Sequence, residues 1–391
     1  MNQCRFILIA IILLLVPGAC NGNALSNQVF HADQVDQLME DAMAKGLIAG
    51  GVVLVGTGKG IIFEKPYGRI AAVPDSRPMA ADTVFDIASL TKVVATTPSI
   101  LKLAEEGRLS LVDPVKKWIP EFSQREDLLI WHLLTHTSGL DDFSLSNSNP
   151  IQSALDGAAS QKAKGLVGNR FRYADINFII LGEIVRRVSS LPLDQYAALN
   201  IFAPNDMRDT QFNPGKEQAL RCSATLGGEH NLLLGEVQDS LARKLGGVAG
   251  HAGVFSTAAD LGRFCMMILN RGESSGKTVL LPRTVEQMTA PYFARGGAVV
   301  RGLGWDIASP YSAPRGTGFS EGSFGHTGYS GTSLWLDPSS DVFVVLLTSR
   351  LDYRHTKELS RLRGNLSTIV AAQLSPQRPL ADLLQALTVE R

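Results

Sequence analysis

The sequence predicts an α+β fold, with an antiparallel sheet built from the N- and C-terminal segments and a helical lobe inserted between them. Three observations lead there. β-branched and apolar runs cluster near both ends, helical spacing of apolar residues dominates the middle, and no fixed-period repeat is present. The chain has 391 residues, 45% of them hydrophobic, which is material for one large core. Lys plus Arg equals Asp plus Glu, at 37 each, so no charge excess points to nucleic acid or an anionic membrane surface as a partner.

The N-terminus stands apart. Residues 6–16 form an unbroken apolar run behind Arg5, and Pro17, Gly18, Ala19 and Cys20 follow. A bilayer span takes about 20 residues, so this run is too short for one. It predicts a signal peptide over 1–24 and a protein that works outside the cytoplasm, in the periplasm or on a membrane. Two readings stay open: cleavage near Ala24, or acylation of Cys20 as in a lipoprotein, which would anchor the chain to a membrane. The body is expected to run from 25 to 376, with sheet from 48–85 and 290–376, a helical lobe over 86–289, and a peripheral tail at 377–391.

Within the body, 30–47 reads as a helix, and 50–56 and 60–64 as strands around Gly56-Thr57-Gly58-Lys59-Gly60. That glycine-rich turn lacks the residue order and following helix of a phosphate loop. Helical patterns cover 89–105, 128–136, 175–189 and 258–271. Strand patterns return at 302–307, 332–336 and 342–347, and a basic helix is expected over 356–373. Cys4 belongs to the signal segment. Cys265 lies in an apolar helix-like stretch and reads as a small core residue, and nothing suggests a disulfide framework with Cys222.

Ser89-Leu90-Thr91-Lys92 places a hydroxyl and an amine three residues apart, hence on one helix face. That is the minimum for a serine acyl-transfer centre. The same spacing occurs at Ser99/Lys102 and Ser274/Lys277. Only Ser89 follows a β-branched, apolar approach and opens a helix with a buried face; Ser99 lies inside that helix beside Pro98, and Ser274 sits in a Gly/Ser loop. Three further segments give Ser89 its context. Tyr173 stands just before a helix, Gly325-His326-Thr327-Gly328-Tyr329 precedes a strand, and 245–255 is rich in glycine. His132 and His136 are four apart, but Leu133 stands where a zinc-protease glutamate belongs, so no metal site is expected. Gly328-Tyr329-Ser330-Gly331-Thr332 imitates a nucleophile elbow, with Thr332 in place of the final glycine.

With these segments in order, the chain resembles the serine β-lactamase and penicillin-binding family, on the branch of class C β-lactamases, D,D-peptidases and related esterases. The resemblance covers about 30 to 375. It rests on Ser89-Leu90-Thr91-Lys92, the 133–140 segment, Tyr173-Ala174-Asp175, Gly250-His251-Ala252-Gly253 and His326-Thr327-Gly328. It implies Ser89 as nucleophile, Lys92 and Tyr173 as its proton partners, and the backbone N–H groups of Ser89 and Tyr329 as the oxyanion hole. It also implies that Asp175, His326, Thr327 and Gly328 line the substrate pocket, with no cofactor. Two positions depart from the family: Asp175 stands for the asparagine of Tyr-x-Asn, and His326 for the lysine of Lys-Thr-Gly. Asp175 reads either as a pocket residue or as a cap of the following helix.

For Lys92 to act as base it must be neutral, and lowering a lysine pKa by about three units costs roughly 4 kcal/mol. Burial of an uncharged Lys92 amine is the expectation, with Tyr173 as the other candidate base. His326 would be mostly neutral near pH 7, which favours ester or uncharged amide substrates; the expected substrate is a peptidoglycan-type D-amino-acid peptide or a small ester, with β-lactams as ligands or poor substrates. The alternative class is a penicillin-binding sensor or scaffold that is acylated without turnover.

Overall fold

The computed structural model describes residues 30–162, 165–227, 231–293, 299–350 and 352–375. The signal segment with Cys4 and Cys20, and the tail from 377, lie outside the described residues. Among the described residues no helix is long and apolar enough to cross a membrane.

An eight-stranded antiparallel sheet forms the frame. Its order is Tyr292–Phe293, Val300–Arg301, Asp306–Ala308, Phe324–Thr327, Ser333–Asp337, Val342–Arg350, Ile48–Thr57 and Gly60–Gly68. The two ends of the chain therefore meet in the middle: Val52 pairs with Leu347 and Val53 with Leu346. The glycine-rich turn is the expected hairpin, closing where Thr57 pairs with Gly60. The expected strand at 302–307 is instead split into Val300–Arg301 and Asp306–Ala308. Gly304, at φ +79°, turns the chain between them.

Period-two alternation sorts the central strands onto two cores. Val52, Leu54, Phe343, Val345 and Leu347 face the helical lobe. Val53, Val55, Val342, Val344 and Leu346 face the other side. Both sets are buried because helices cover both faces, so the strands read as continuous apolar runs. Helices Asp33–Ala44 and Thr356–Leu374 supply the outer cover. The lobe is centred on Thr97–Glu105, Ile176–Ser189 and Ala258–Leu269. Cys222 and Cys265 are buried free thiols.

A second, three-stranded sheet matters more for chemistry than for size. Phe85–Asp86 pairs with Val254–Ser256, which pairs with Gln211–Phe212. It fixes the approach to Ser89 against the glycine-rich 250–253 loop.

Candidate active site

Ser89 lies in a tight turn, Ala88–Leu90, entered through Ala88 at φ +47°. A left-handed L-residue costs about 1–2 kcal/mol, so neighbouring bonds must hold it there. The Ala88 N–H donates to Asp86 Oδ1 at 2.8 Å, and the Ile87 N–H to the Val254 carbonyl at 3.0 Å. From the opposite side, the Ser330 hydroxyl donates to the Asp86 carbonyl at 2.7 Å and the Thr332 hydroxyl to the Ile87 carbonyl at 3.0 Å. Asp86 is buried, and burial pushes its carboxyl up to about 6 against the backbone donors of Gln238 and Ala88. Ser330 is thus a tether for the Ser89 turn.

The helix expected over 89–105 is three pieces: that turn, a π segment Lys92–Thr96, and an α-helix Thr97–Glu105. Pro98 has no N–H to give, and the Thr97 N–H reaches one residue further back, to the Lys92 carbonyl. Ser99 is buried with its hydroxyl on the Ala95 carbonyl at 2.7 Å, and Ser274 belongs to the Glu273–Ser274 strand of a separate two-stranded hairpin. Neither approaches the site.

Lys92 is fully buried. Its Nζ donates to Ser89 Oγ at 3.0 Å and to the His251 carbonyl at 3.0 Å, and forms an ion pair with Asp175 Oδ1 at 2.7 Å. An ammonium has three N–H donors and no acceptor, and these oxygens suit the cation. Burial pushes the amine down, but the Asp175 carboxylate and Tyr173 outweigh it, and the net shift is upward. The expected uncharged amine is therefore corrected: burial is present, and Asp175 reverses its consequence.

Asp175 does not cap the helix Ile176–Ser189. That cap comes from Asp142, whose Oδ1 accepts the Ile176 N–H at 2.9 Å. Asp175 turns instead to Lys92. Burial pushes its carboxyl up, yet Lys92 and then His251 hold it below the usual range. His251 Nε2 lies 2.8 Å from Asp239 Oδ1. Ligand atoms of Asp175, Asp239 and His251 lie within 4.8 Å of one another, a spacing that could hold a metal ion. The Lys92 ammonium already supplies a cation to this group.

The Tyr173 hydroxyl faces Lys92 and Ser89, both of which act to lower its pKa. Its ring stacks on His136 at 4.4 Å between centroids. Burial is the main cause that raises its pKa, partly opposed by the Lys92 charge. The glycine loop makes this convergence possible. A Cβ on Gly250 would lie 1.9 Å from the Phe178 carbonyl, so only glycine lets the loop carry the His251 carbonyl to Lys92 against that helix.

A beta-lactamase family model matches residues 35–365. The chain belongs to the beta-lactamase family. It is 27% identical over 384 residues to an N-acetylmuramyl-L-alanine amidase of Bacillus subtilis, covering 88% of this chain and 86% of that one. It is 28% identical over 333 residues to a candidate D-alanyl-D-alanine carboxypeptidase of Salmonella agona, covering 74% and 76%. Its fold matches a penicillin-binding protein homolog from Caulobacter crescentus with a TM-score of 0.70 at 19% identity, over 86% of this chain and 96% of that one.

In this member of the beta-lactamase family, the strand Phe324–Thr327 lays the His326 position beside Tyr173, with ring centroids 6.2 Å apart. His326 is buried, and its Nδ1 lies 2.9 Å from the Thr327 carbonyl. Burial, then the charges of Arg301 and Lys92, hold it well below the usual histidine range, so it is neutral. The nearby cations already face carboxylates, while the Arg301 Nε has no hydrogen-bond partner. Arg301 donates to the Gly304 carbonyl and faces Asp306, and Lys92 pairs with Asp175. His132 takes the Leu129 N–H on its Nδ1, and His136 packs under Tyr173.

Thr327 is half-buried at the strand end, and Gly328 begins a turn that a side chain would block: a Cβ there would lie 2.5 Å from the Ile87 carbonyl. Tyr329 is exposed beyond it. Sequence reasoning missed Asp142, Asp239 and Arg301. The Tyr-x-Asp departure was the one signal that the Lys92 environment differs.

Proposed function

We propose that this beta-lactamase-family serine hydrolase cleaves esters or amides that present no carboxylate to the His326 side of the pocket. Ser89 attacks the carbonyl carbon and Tyr173 is the base. The phenolate form of Tyr173 takes the Ser89 proton while the Lys92 ammonium stabilises it. The backbone N–H groups of Ser89 and Tyr329 receive the developing oxyanion. The regenerated phenol then protonates the leaving oxygen or nitrogen, and water releases the acyl group by the same route. The observation that carries this reading is Lys92 Nζ placed between Ser89 Oγ and Asp175 Oδ1, with the Tyr173 ring centroid 5.2 Å from the same Nζ.

The substrate preference follows from charge. His326 is neutral, Lys92 is paired with Asp175, and Arg301 is bonded to Gly304 and faces Asp306, with its Nε left unpartnered. A carboxylate-bearing β-lactam or D-Ala-D-Ala peptide would bury its charge there beside cations that already face a carboxylate, a cost of several kcal/mol. The amidase and the candidate carboxypeptidase among its relatives keep peptidoglycan-type amides within the proposed range. The apolar run at 6–16 supports export, with Cys20 as the proposed lipid attachment point.

We expect kcat/KM for a p-nitrophenyl ester to exceed that for a chromogenic cephalosporin and for a D-Ala-D-Ala peptide at least tenfold. A preference for either carboxylate-bearing substrate would overturn the charge reading. A stoichiometric acylation burst with no steady state would place the chain with the sensors.

A further inference from the structure

We propose that Arg363, on the C-terminal helix, is a positioning residue for the oxyanion hole. Its Nη2 donates to the Gly328 carbonyl at 2.8 Å and to the Thr332 carbonyl at 2.8 Å. The proposal rests on the Ser89 acyl-enzyme reading above.

The link from a distant helix to the site is the peptide plane. The Gly328 carbonyl and the Tyr329 N–H belong to one planar trans peptide and point in opposite directions. A donor that anchors this carbonyl therefore aims the Tyr329 N–H. The turn does not use that N–H for itself: the Gly328 N–H goes to the Thr332 carbonyl at 2.7 Å, and the Gly331 N–H to the Gly328 carbonyl at 3.2 Å. The next peptide is held as well. Arg350 Nη1 donates to the Tyr329 carbonyl at 3.0 Å, and its guanidinium lies 5.2 and 4.8 Å from the ring centroids of Tyr329 and Tyr353, which stack on each other at 4.6 Å. The two peptides flanking the Tyr329 Cα are each fixed by an arginine.

The turn is also tied to the nucleophile. Ser330 and Thr332 bond to the Asp86 and Ile87 carbonyls, directly ahead of Ser89. Arg363 thus holds one side of a rigid assembly whose other side carries Ser89. The arrangement is costly. Arg363 is buried, and among the described residues no carboxylate acts on it. Burial pushes its guanidinium down to about 9, which leaves it charged at neutral pH. A buried cation spent on two main-chain carbonyls fixes a conformation; one carboxylate partner would have held the charge more cheaply.

The test compares Arg363→Met and Arg363→Gln with the wild type, using a p-nitrophenyl ester and a fluorophosphonate probe. Both reactions place an oxygen in the hole. We expect kcat and the Ser89 phosphonylation rate constant to fall about 100-fold, the loss typical of one oxyanion donor, while KM stays within threefold. Arg363→Lys, which keeps a buried donor cation, should recover at least tenfold of that loss. Melting temperature is measured alongside. If Arg363→Met does not fold, Arg363→Gln is read alone, since a neutral amide is easier to bury. Wild-type kcat and phosphonylation in a folded Met or Gln variant would overturn the proposal, whatever its melting temperature. Absence of labelling at Ser89 in the wild type would remove the parent reading, and the proposal with it.

Discussion

Ser89→Ala should lower ester turnover on the order of a million-fold, the loss found when a serine hydrolase nucleophile is removed. The fold should survive. Ser89 contributes one of two hydrogen-bond acceptors of Lys92, which keeps the His251 carbonyl and the Asp175 ion pair. Losing a hydrogen bond to a charged group costs about 1.5–3 kcal/mol. The control is Ser330→Ala, which removes the one other serine hydroxyl tied to this turn. A fluorophosphonate should label Ser330→Ala and the wild type on Ser89, and leave Ser89→Ala unlabelled. Turnover that persists in Ser89→Ala would move the nucleophile elsewhere.

Tyr173→Phe should lower kcat by about a hundred- to ten-thousand-fold, the range for a general base, with little change in KM. Its pH dependence is the sharper readout. The Tyr173 pKa is raised by burial and by Asp175, so the phenol dominates at neutral pH. A base with a raised pKa is more populated as pH rises. In the wild type, log kcat/KM should therefore climb from pH 7 into the alkaline range. The Lys92 ammonium persists across that range because its own pKa is raised. Tyr173→Phe should flatten the climb. If the variant keeps both its rate and its slope, Lys92 is the base.

What the sequence disclosed was local. Ser89 and Lys92 are three residues apart, and Tyr173 stands just before the helix Ile176–Ser189, so short motifs carried them. The two-ended sheet was legible because its central strands are buried on both faces and read as apolar runs. What stayed hidden came from distance. The charge state of Lys92 depends on Asp175 and on the His251 carbonyl, 83 and 159 residues away. A cap for Ile176 was sought at the adjacent Asp175, yet it comes from Asp142, 34 residues earlier. Arg363 sits in a helix that reads as basic and surface-bound, and only packing shows that this one guanidinium turns inward. The strand expected at 302–307 failed for a backbone reason, since Gly304 takes a left-handed turn that hydrophobic patterning cannot register.

The family's Tyr-x-Asn asparagine is neutral, and Asp175 is an anion 2.7 Å from Lys92. On the proposed mechanism, that difference keeps Lys92 a cation and leaves Tyr173 as the proton acceptor.

The deciding measurement is the charge on Lys92, read by nitrogen-15 NMR of its side-chain Nζ in the wild type and in Asp175→Asn between pH 6 and 10. The wild type should show an ammonium across the whole range, and removal of the carboxylate should lower the pKa by about 1–3 units. A neutral Lys92 amine in the wild type near pH 7 would contradict the assignment of Tyr173 as base.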